Sequence, residues 1–414
     1  MDVGPGDSAV QRLLHQARAA GREAFGPDFA PTAGSIAPGR LELLGNHVDY
    51  NGGPVLAAAI DRVVLVLFDL NGPPSEIAAV APDVSADTIR LSVDDLDGWR
   101  SPGGEPDPTA YLSGAVSALR ARGHEIEGGH RLSISGSVTL GFGMSSSAAL
   151  CVAVVNALSA QRLEPHEVVL TAQEAEHRAG TPCGTMDQSA SVAGNVIRYD
   201  GADDSFTVLE PDLGDYVFAV ADSGVTRALG TSSYGMRVEE AKQAVTLLRE
   251  HLRTDLTALG QLTESQWHEI EWHGEVWLPP PLFARVRHVY TECVRVRLGL
   301  EAVEHADWPR FGALMTESGR SSAGDYEISH PMVEELVAEV LRQERVLGAR
   351  MMGGGEGGPA LILVQREALP TLDQRLRAGY FHRHGMTERG DLIQACHFGP
   401  GARVVKVSFR SPIG

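Results

Sequence analysis

The chain has 414 residues, 43 % of them hydrophobic and 21 % charged, with a formal net charge of -19. That content suits two or three ordinary globular domains, and a chain this acidic, without a run of Lys or Arg, is repelled by nucleic acid and anionic membranes. Its apolar runs are too short to span a bilayer, its start reads as no export signal, and its four cysteines form no C-x-x-C pair, which leaves no zinc-ribbon signature and fits a reducing cytoplasm.

The periodicity predicts a helix over Ala9–Phe25, with Leu13, Leu14 and Ala17 on one face. A strand-like "GRLELLG" follows, then the polar cluster "LLGNHVDYNGG" (Leu43–Gly53), a glycine-rich turn and a strand over Val63–Leu70. Asp83–Gly104 reads as a polar hairpin with a loop. An amphipathic helix is expected over Thr109–Gly123 and an alternating strand over His130–Val138. A strongly apolar, buried helix starts at Ser145, and another at Pro165, whose missing N–H suits a first turn. After a short polar hairpin, a new strand near Asp212–Gly224 marks the expected boundary between two domains, 1–212 and 213–414. The second half reads as helices over Met236–Leu252, Pro281–Leu300, His305–Ser318 and Pro331–Leu347, then strand-like "PALILVQ" and "ARVVKVSF". Strands and helices mix without strict alternation, which favours α+β.

Three stretches carry chemistry. In "TLGFGMSSSAALCVAVV" (Thr139–Val155), Gly141 and Gly143 allow close backbone approach, and Ser145, Ser146 and Ser147 open the apolar helix. Free N–H groups and the helix dipole attract an anion there, and a hydroxyl can ligate Mg²⁺. A serine N-cap after a turn would look similar, but three serines after G-x-G favour phosphate; no Gly-Lys-Ser/Thr follows, so this is not a Walker A loop. In "AEHRAGTPCGTMDQSAS" (Ala175–Ser191), Glu176 and Asp187 supply the two acids that phosphoryl transfer needs, a metal ligand and a carboxylate to orient or deprotonate the acceptor hydroxyl. Their spacing alone equally fits a solvated helix residue and a helix cap. In "ARMMGGGEGGPALILV" (Ala349–Val364), five glycines between apolar segments mark a tight turn suited to covering a nucleotide.

Other clusters read as bland. The histidines of "HEIEWH" (His268–His273) are five apart and do not share a helical face as a zinc pair does, and "HEIEGGH" (His124–His130) is interrupted by glycines. Trp267, Trp272 and Trp277 are expected in the core or between elements.

The combination resembles the galactokinase family. "PGRLELLGNHVDYNGGPVLAAAID" (Pro38–Asp61) is similar to its signature Gly-Arg-x-Asn-Leu-Ile-Gly-Glu-His-Thr-Asp-Tyr-Asn. "GFGMSSSAAL" resembles the phosphate loop of the wider GHMP kinases, and "GTPCGTMDQSAS" the family's Gly-x-x-Cys-Gly-Ile-Met-Asp-Gln block. "LMTESGRSSAGDYEISHP" (Leu314–Pro331) and "ARMMGGGEGGPALILV" resemble its Asp-x-Tyr-Glu segment and its Arg-Met-Thr-Gly-Gly-Gly-Phe-Gly-Gly loop. The matches keep the family's order over nearly the whole chain.

The resemblance implies the two-domain GHMP kinase fold, an N-terminal domain like the second domain of ribosomal protein S5 and a ferredoxin-like C-terminal domain, with the active site between them. It implies ATP-dependent phosphorylation of the anomeric hydroxyl of a galactose-like sugar, with Mg²⁺. Asp187 becomes the base and Arg40 its partner; Ser147 and Glu176 hold Mg²⁺, with Ser146 an alternative to Ser147. Asn46, His47, Asp49, Gly184 and Tyr234 take sugar positions, and Gly141, Gly143 and Ser145 to Ser147 the phosphate loop. A small-molecule sugar substrate, no nucleic acid, no membrane and a cytoplasmic monomer complete the expectation.

Two positions depart from the family. Its signature Glu, which contacts the sugar's C6 hydroxyl, is Asn46 here, and the aromatic of its C-terminal glycine loop is Glu356. A neutral amide at 46 accepts a C6 hydroxyl or a C6 carboxylate. This keeps open a kinase for a C6 variant such as galacturonate, beside a non-catalytic galactokinase-like sugar sensor. The sensor is disfavoured because Asp187, Arg40 and all three serines are present. Glu356 has no consequence legible from sequence.

Overall fold

A computed structural model of the chain describes residues 8–126, 128–159, 163–225 and 233–408. Residues 160–161, 231–232 and 409, which touch expected segments, lie outside these. Helix α1 (Ser8–Phe25) leads into β1 (Ala33–Leu44) and β2 (Pro54–Asp69), which pair antiparallel from Ala33 opposite Phe68 to Leu44 opposite Leu56. Both strands run well past the segments that patterning marks. They are covered on both faces, so they lack the alternation that signals a half-exposed strand. On β2, Val64 and Val66 enter the main core while Val63, Leu65 and Leu67 pack on the opposite face with Leu13, Leu14 and Ala17 of α1. Register shifts at Pro38/Arg40 and Glu42/Leu44 bend β1 where its polar side chains emerge.

The chain continues through β3 (Glu76–Val80), β4 (Ile89–Ser92), α2 (Pro108–Ala121), β5 (His130–Gly136), α3 (Ser146–Leu158), α4 (Pro165–Ala179), α5 (Met186–Ala193), β6 (Val196–Asp200) and β7 (Ser205–Leu209). The first sheet has the order β1-β2-β5-β3-β4, with β6 on β2 and β7 on β6; the β3–β5 pair is parallel. Helices α2 to α4 line the face that carries the main core, and α5 packs on β1 and β2 with its buried Met186 and Ala190 in the second core.

The second sheet starts at β8 (Tyr216–Ala221). Helices α6 (Tyr234–Leu252), α7 (Glu264–Trp277), α8 (Pro280–Glu304), α9 (Trp308–Gly324) and α10 (Pro331–Leu341) precede β9 (Val346–Met351) and β10 (Ala360–Gln365). Then come α11 (Leu369–Ala378), α12 (Tyr380–Arg383) and β11 (Ile393–Cys396). The order β11-β8-β10-β9, antiparallel throughout, is that of a ferredoxin-like βαββαβ unit with an enlarged first crossover. Finally β12 (Arg403–Lys406) returns to pair with β1. The GHMP kinase architecture expected from the resemblance is therefore present.

Several local expectations differ. The helix expected to reach Leu347 ends at Leu341, because Val346 and Leu347 begin β9 after a turn with Arg345 at φ 67°. Helix α5, "MDQSASVA", has too few apolar residues to show a period. Helix α7 was readable, since Thr263 and Gln266 form a capping box at its start. Trp267 is buried and stacked on Tyr290, and Trp277 stacks on His251, whereas Trp272 is 83 % exposed.

Gly114 lets α2 cross α4 closely. A Cβ there would overlap the carbonyl oxygen of Ala175, the residue before Glu176. Alanine favours an isolated helix by about 1 kcal/mol over glycine, so packing and propensity oppose each other. Gly114→Ala is expected to destabilise by ~1–3 kcal/mol as an overpacked contact. A lower urea midpoint at unchanged m-value checks it.

Candidate active site

Arg40 leaves the bent stretch of β1 and crosses to α5. Its Nε and Nη2 donate to the two carboxylate oxygens of Asp187 at 2.7 and 2.8 Å, and Nη1 donates to the Gly143 carbonyl at 2.6 Å. This bidentate fork is the strong geometry for an Arg–carboxylate pair. Burial disfavours the guanidinium charge, yet Asp187 and Glu42 hold its pKa above the ordinary value. Ser145, at φ 53° ahead of α3, donates its hydroxyl to Asp187 Oδ2. Asp187 lies in the first turn of α5, where Thr185 holds the cap position, and its side chain stays 25 % exposed.

Glu176, in the last turn of α4, is buried, which sets aside the solvated-helix reading. Burial pushes its carboxyl up to about 7, against hydrogen bonds from Ser147, Gln188 and Cys183, while the Asp187 charge raises it further. Among the described residues, no arginine or lysine pairs with it. Tyr111 of α2 reaches the same place, hydrogen-bonding Ser147 and lying 3.1 Å from Thr181 Oγ1. A buried carboxylate and a hydroxyl, both hard oxygen donors short of positive charge, fit Mg²⁺.

The signature turn lies across from this pair. His47 sits at φ 62°, a strained position for a residue with a side chain. Its Nδ1 is 2.9 Å from Tyr50 Oη, and its carbonyl accepts from Asn51 Nδ2 at 2.8 Å. Tyr50 Oη in turn lies 2.9 Å from Tyr326 Oη. Tyr234, the first residue of α6, places its ring 5.5 Å from His47 and 5.2 Å from Tyr50. Burial and the nearby Glu42 push the Asp49 carboxyl up to about 7. A Cβ on Gly184 would come within 3.1 Å of Asp49 Oδ2, so glycine leaves that carboxylate its room.

Family models match in the same order: the galactokinase galactose-binding signature over residues 22–69, the GHMP kinases N terminal domain over 110–195 and the GHMP kinases C terminal over 300–378. A galactokinase from Roseiflexus sp. (strain RS-1) is 34 % identical over 380 residues, 88 % of this chain and 91 % of the relative. One from Bos taurus is 32 % identical over 406 residues, 93 % of this chain and 97 % of the relative. The chain belongs to the galactokinase family. The crystal structure of Lactococcus lactis galactokinase complexed with galactose matches with TM-score 0.84 and 26 % identity, over 94 % of this chain and 99 % of that one. A mevalonate kinase structure, at 16 % identity and TM-score 0.62, shares the fold alone. This member is thus a sugar kinase of the GHMP superfamily.

Within this galactokinase fold, Arg40, Asp187, Gly143 and Ser145 converge on one cluster, and Ser147 and Glu176 on its neighbour. Gly141, at φ 78°, lies in the open part of the loop, and Ser146 is partly exposed at the start of α3. Asn46 is different: it is fully buried, with its amide engaged by Glu42, Gly353 and Ser322. The glycine loop packs on both partners of the site. Gly353 accepts from Asn46, and Pro359 would touch a Cβ on Gly143 at 3.3 Å. Glu356, opaque in the sequence, accepts the Ser233 N–H at 3.0 Å, a carboxylate at the positive end of the helix that begins with Tyr234.

Helix α8 supplies what sequence reading missed. Glu292 Oε1 accepts the N–H groups of Gly45 and Asn46 at 3.0 and 3.2 Å and the Ser318 hydroxyl at 2.6 Å; Oε2 accepts from Arg295 at 2.7 Å. One turn earlier, His288 Nε2 donates to the Asn46 carbonyl at 3.0 Å, and burial keeps this imidazole below its ordinary pKa. The strained turn is thus clamped from the other half of the chain. Burial acts to raise Glu292, but Arg295, His288, Arg350 and Ser318 more than offset it and bring it down to about 2. Its stabilising effect is therefore complete above the unfolded carboxyl value of about 4.3 and is lost as pH falls below that. Glu292→Gln is expected to cost about 3 kcal/mol at neutral pH and to flatten the acid limb of stability, as measured by urea unfolding across the acid range.

Proposed function

We propose that this chain transfers the γ-phosphoryl group of ATP to the anomeric hydroxyl of galactose, giving galactose 1-phosphate and ADP. The observation that carries the residue roles is the grip on Asp187. Oδ2 accepts from Arg40 and Ser145, whereas among the described residues Oδ1 accepts from Arg40 Nε alone, so Oδ1 keeps a lone pair for the sugar hydroxyl. Asp187 takes the proton of that hydroxyl as its oxygen bonds to the γ-phosphorus and the bond to the ADP oxygen breaks. Arg40 orients the Asp187 carboxylate and faces the charge that builds on the phosphoryl oxygens.

His47, Asp49, Gly184 and Tyr234 bind the sugar, with Asn46 behind them. Gly141, Gly143 and Ser145 to Ser147 lie along the nucleotide phosphates at the start of α3. Ser147 and Glu176 would hold Mg²⁺, with Ser146 as an alternative to Ser147. The ion would neutralise the phosphate oxygens, and Tyr111 and Gln188 keep its two ligands in place. No helix among the described residues is long and apolar enough to cross a membrane.

Coupled ADP release with ATP, Mg²⁺ and galactose tests the reading. Turnover is expected with galactose and is lost on chelation of the metal. Asp187→Asn should lower kcat by about 10²–10⁴, the usual range for a lost general base, with a much smaller change in galactose KM. Galactose binding without ADP release by the wild type would establish the sensor instead.

A further inference from the structure

The signature quoted above has Asn two residues after its arginine and Glu after its second glycine. Here the first is Glu42 and the second Asn46, so the two residue types have changed places. The structure brings them together. Asn46 Nδ2 donates to Glu42 Oε1 at 2.9 Å and to the Gly353 carbonyl at 3.0 Å, while Ser322 Oγ donates to Asn46 Oδ1 at 3.0 Å. Arg350, fully buried, donates to Glu42 Oε1 at 2.9 Å and to the Glu42 carbonyl at 2.7 Å. Asn46 is fully buried and Glu42 is 6 % exposed.

The chemistry allows one arrangement. Glu42 and the Gly353 carbonyl only accept, so both amide protons of Asn46 must point at them and Oδ1 must meet the Ser322 hydroxyl. An ionised glutamate at 46 has no proton for either partner. It would set a second carboxylate against Glu42 and a carbonyl, with one arginine to serve both. Asparagine at 42 alone would leave the buried Arg350 without its carboxylate. Each single change is thus unfavourable, and only the exchange of both keeps one acid, one amide and one arginine.

We propose that Glu42 and Asn46 are a single positioning unit that fastens the glycine loop to the signature turn and closes position 46 to the sugar. The loop is held through Gly353 and the turn through the backbone that leads into His47. With both amide protons committed and no exposed surface, position 46 offers a ligand no hydrogen-bond partner. The inference rests on the galactose reading above. It predicts that this enzyme does not discriminate, through position 46, between a hydroxymethyl and a methyl group at the C6 end of a galactose-configured pyranose.

The test is a double-mutant cycle of Asn46→Glu, Glu42→Asn and the combined exchange. Galactose KM, kcat and the urea midpoint are measured for all, with 6-deoxygalactose as second substrate. Each single variant should raise galactose KM by about tenfold or more and lower the urea midpoint, with kcat changed less because Asp187, Arg40 and Ser145 are untouched. The combined exchange should recover most of both losses, a coupling expected of residues in direct contact. It should also gain a preference for galactose over 6-deoxygalactose of about tenfold, the worth of one good hydrogen bond, where the wild type shows less than about threefold. Additive losses in the combined variant overturn the unit. A strong wild-type preference for galactose over 6-deoxygalactose that Asn46→Ala abolishes overturns the closure of position 46. Should wild type release no ADP with galactose, the function fails separately, and the urea cycle still decides the coupling.

Discussion

The fork from Arg40 to Asp187 joins the bent middle of β1 to the first turn of α5, and the rest of the site is arranged around it. Its third hydrogen bond, to Gly143, ties the glycine-serine loop to the same guanidinium, and Ser145 closes the circuit from the loop back to Asp187. An exposed ion pair is worth little. This one is buried on the arginine side and partly open on the carboxylate side, so it fixes the acid's orientation without sealing it from solvent. Glu176 shows the contrary case. Without an arginine it is an acid short of counter-charge, which makes it suited to a divalent cation that travels with a nucleotide.

The signature turn obeys a different constraint. His47 occupies a backbone region that costs energy, and such strain persists only when the surroundings over-determine it. Here they do, from the second half of the chain: His288 and Glu292 hold the peptide groups that lead into His47, and Tyr326 and Gly353 hold the side chains of Tyr50 and Asn46. The signature turn is therefore held in shape by helices from the second half of the chain. The two halves cannot separate widely without releasing that turn.

This division explains what was legible in the sequence. Short motifs could be read because their chemistry is local: three serines opening a helix, two acids eleven positions apart, glycines before a strand. The two-sheet architecture came from the family pattern more than from periodicity, since β1 and β2 are covered on both faces. The residues that were missed act across long separations. Glu292 meets Gly45 from 247 positions away and Arg350 meets Glu42 from 308, and neither looks unusual in its own helix or strand. Asn46 stands out in the sequence as a departure, whereas Glu42 gains its meaning only beside it. Only the contact between them turns two separate oddities into one exchange.

The pairing of β12 with β1 has a consequence for how the chain is made. β12 pairs Arg403–Lys406 with Ile36–Ala33, so β1 is completed by a strand that is synthesised much later. Until then β1 presents an open edge of unpaired backbone groups, beside the largely apolar β2. A contact spanning almost the whole chain also forms late, because its ends must first be brought together. The nascent N-terminal half thus waits with an unprotected rim, and α1, which covers the neighbouring face, is the cover it has while the other half is synthesised.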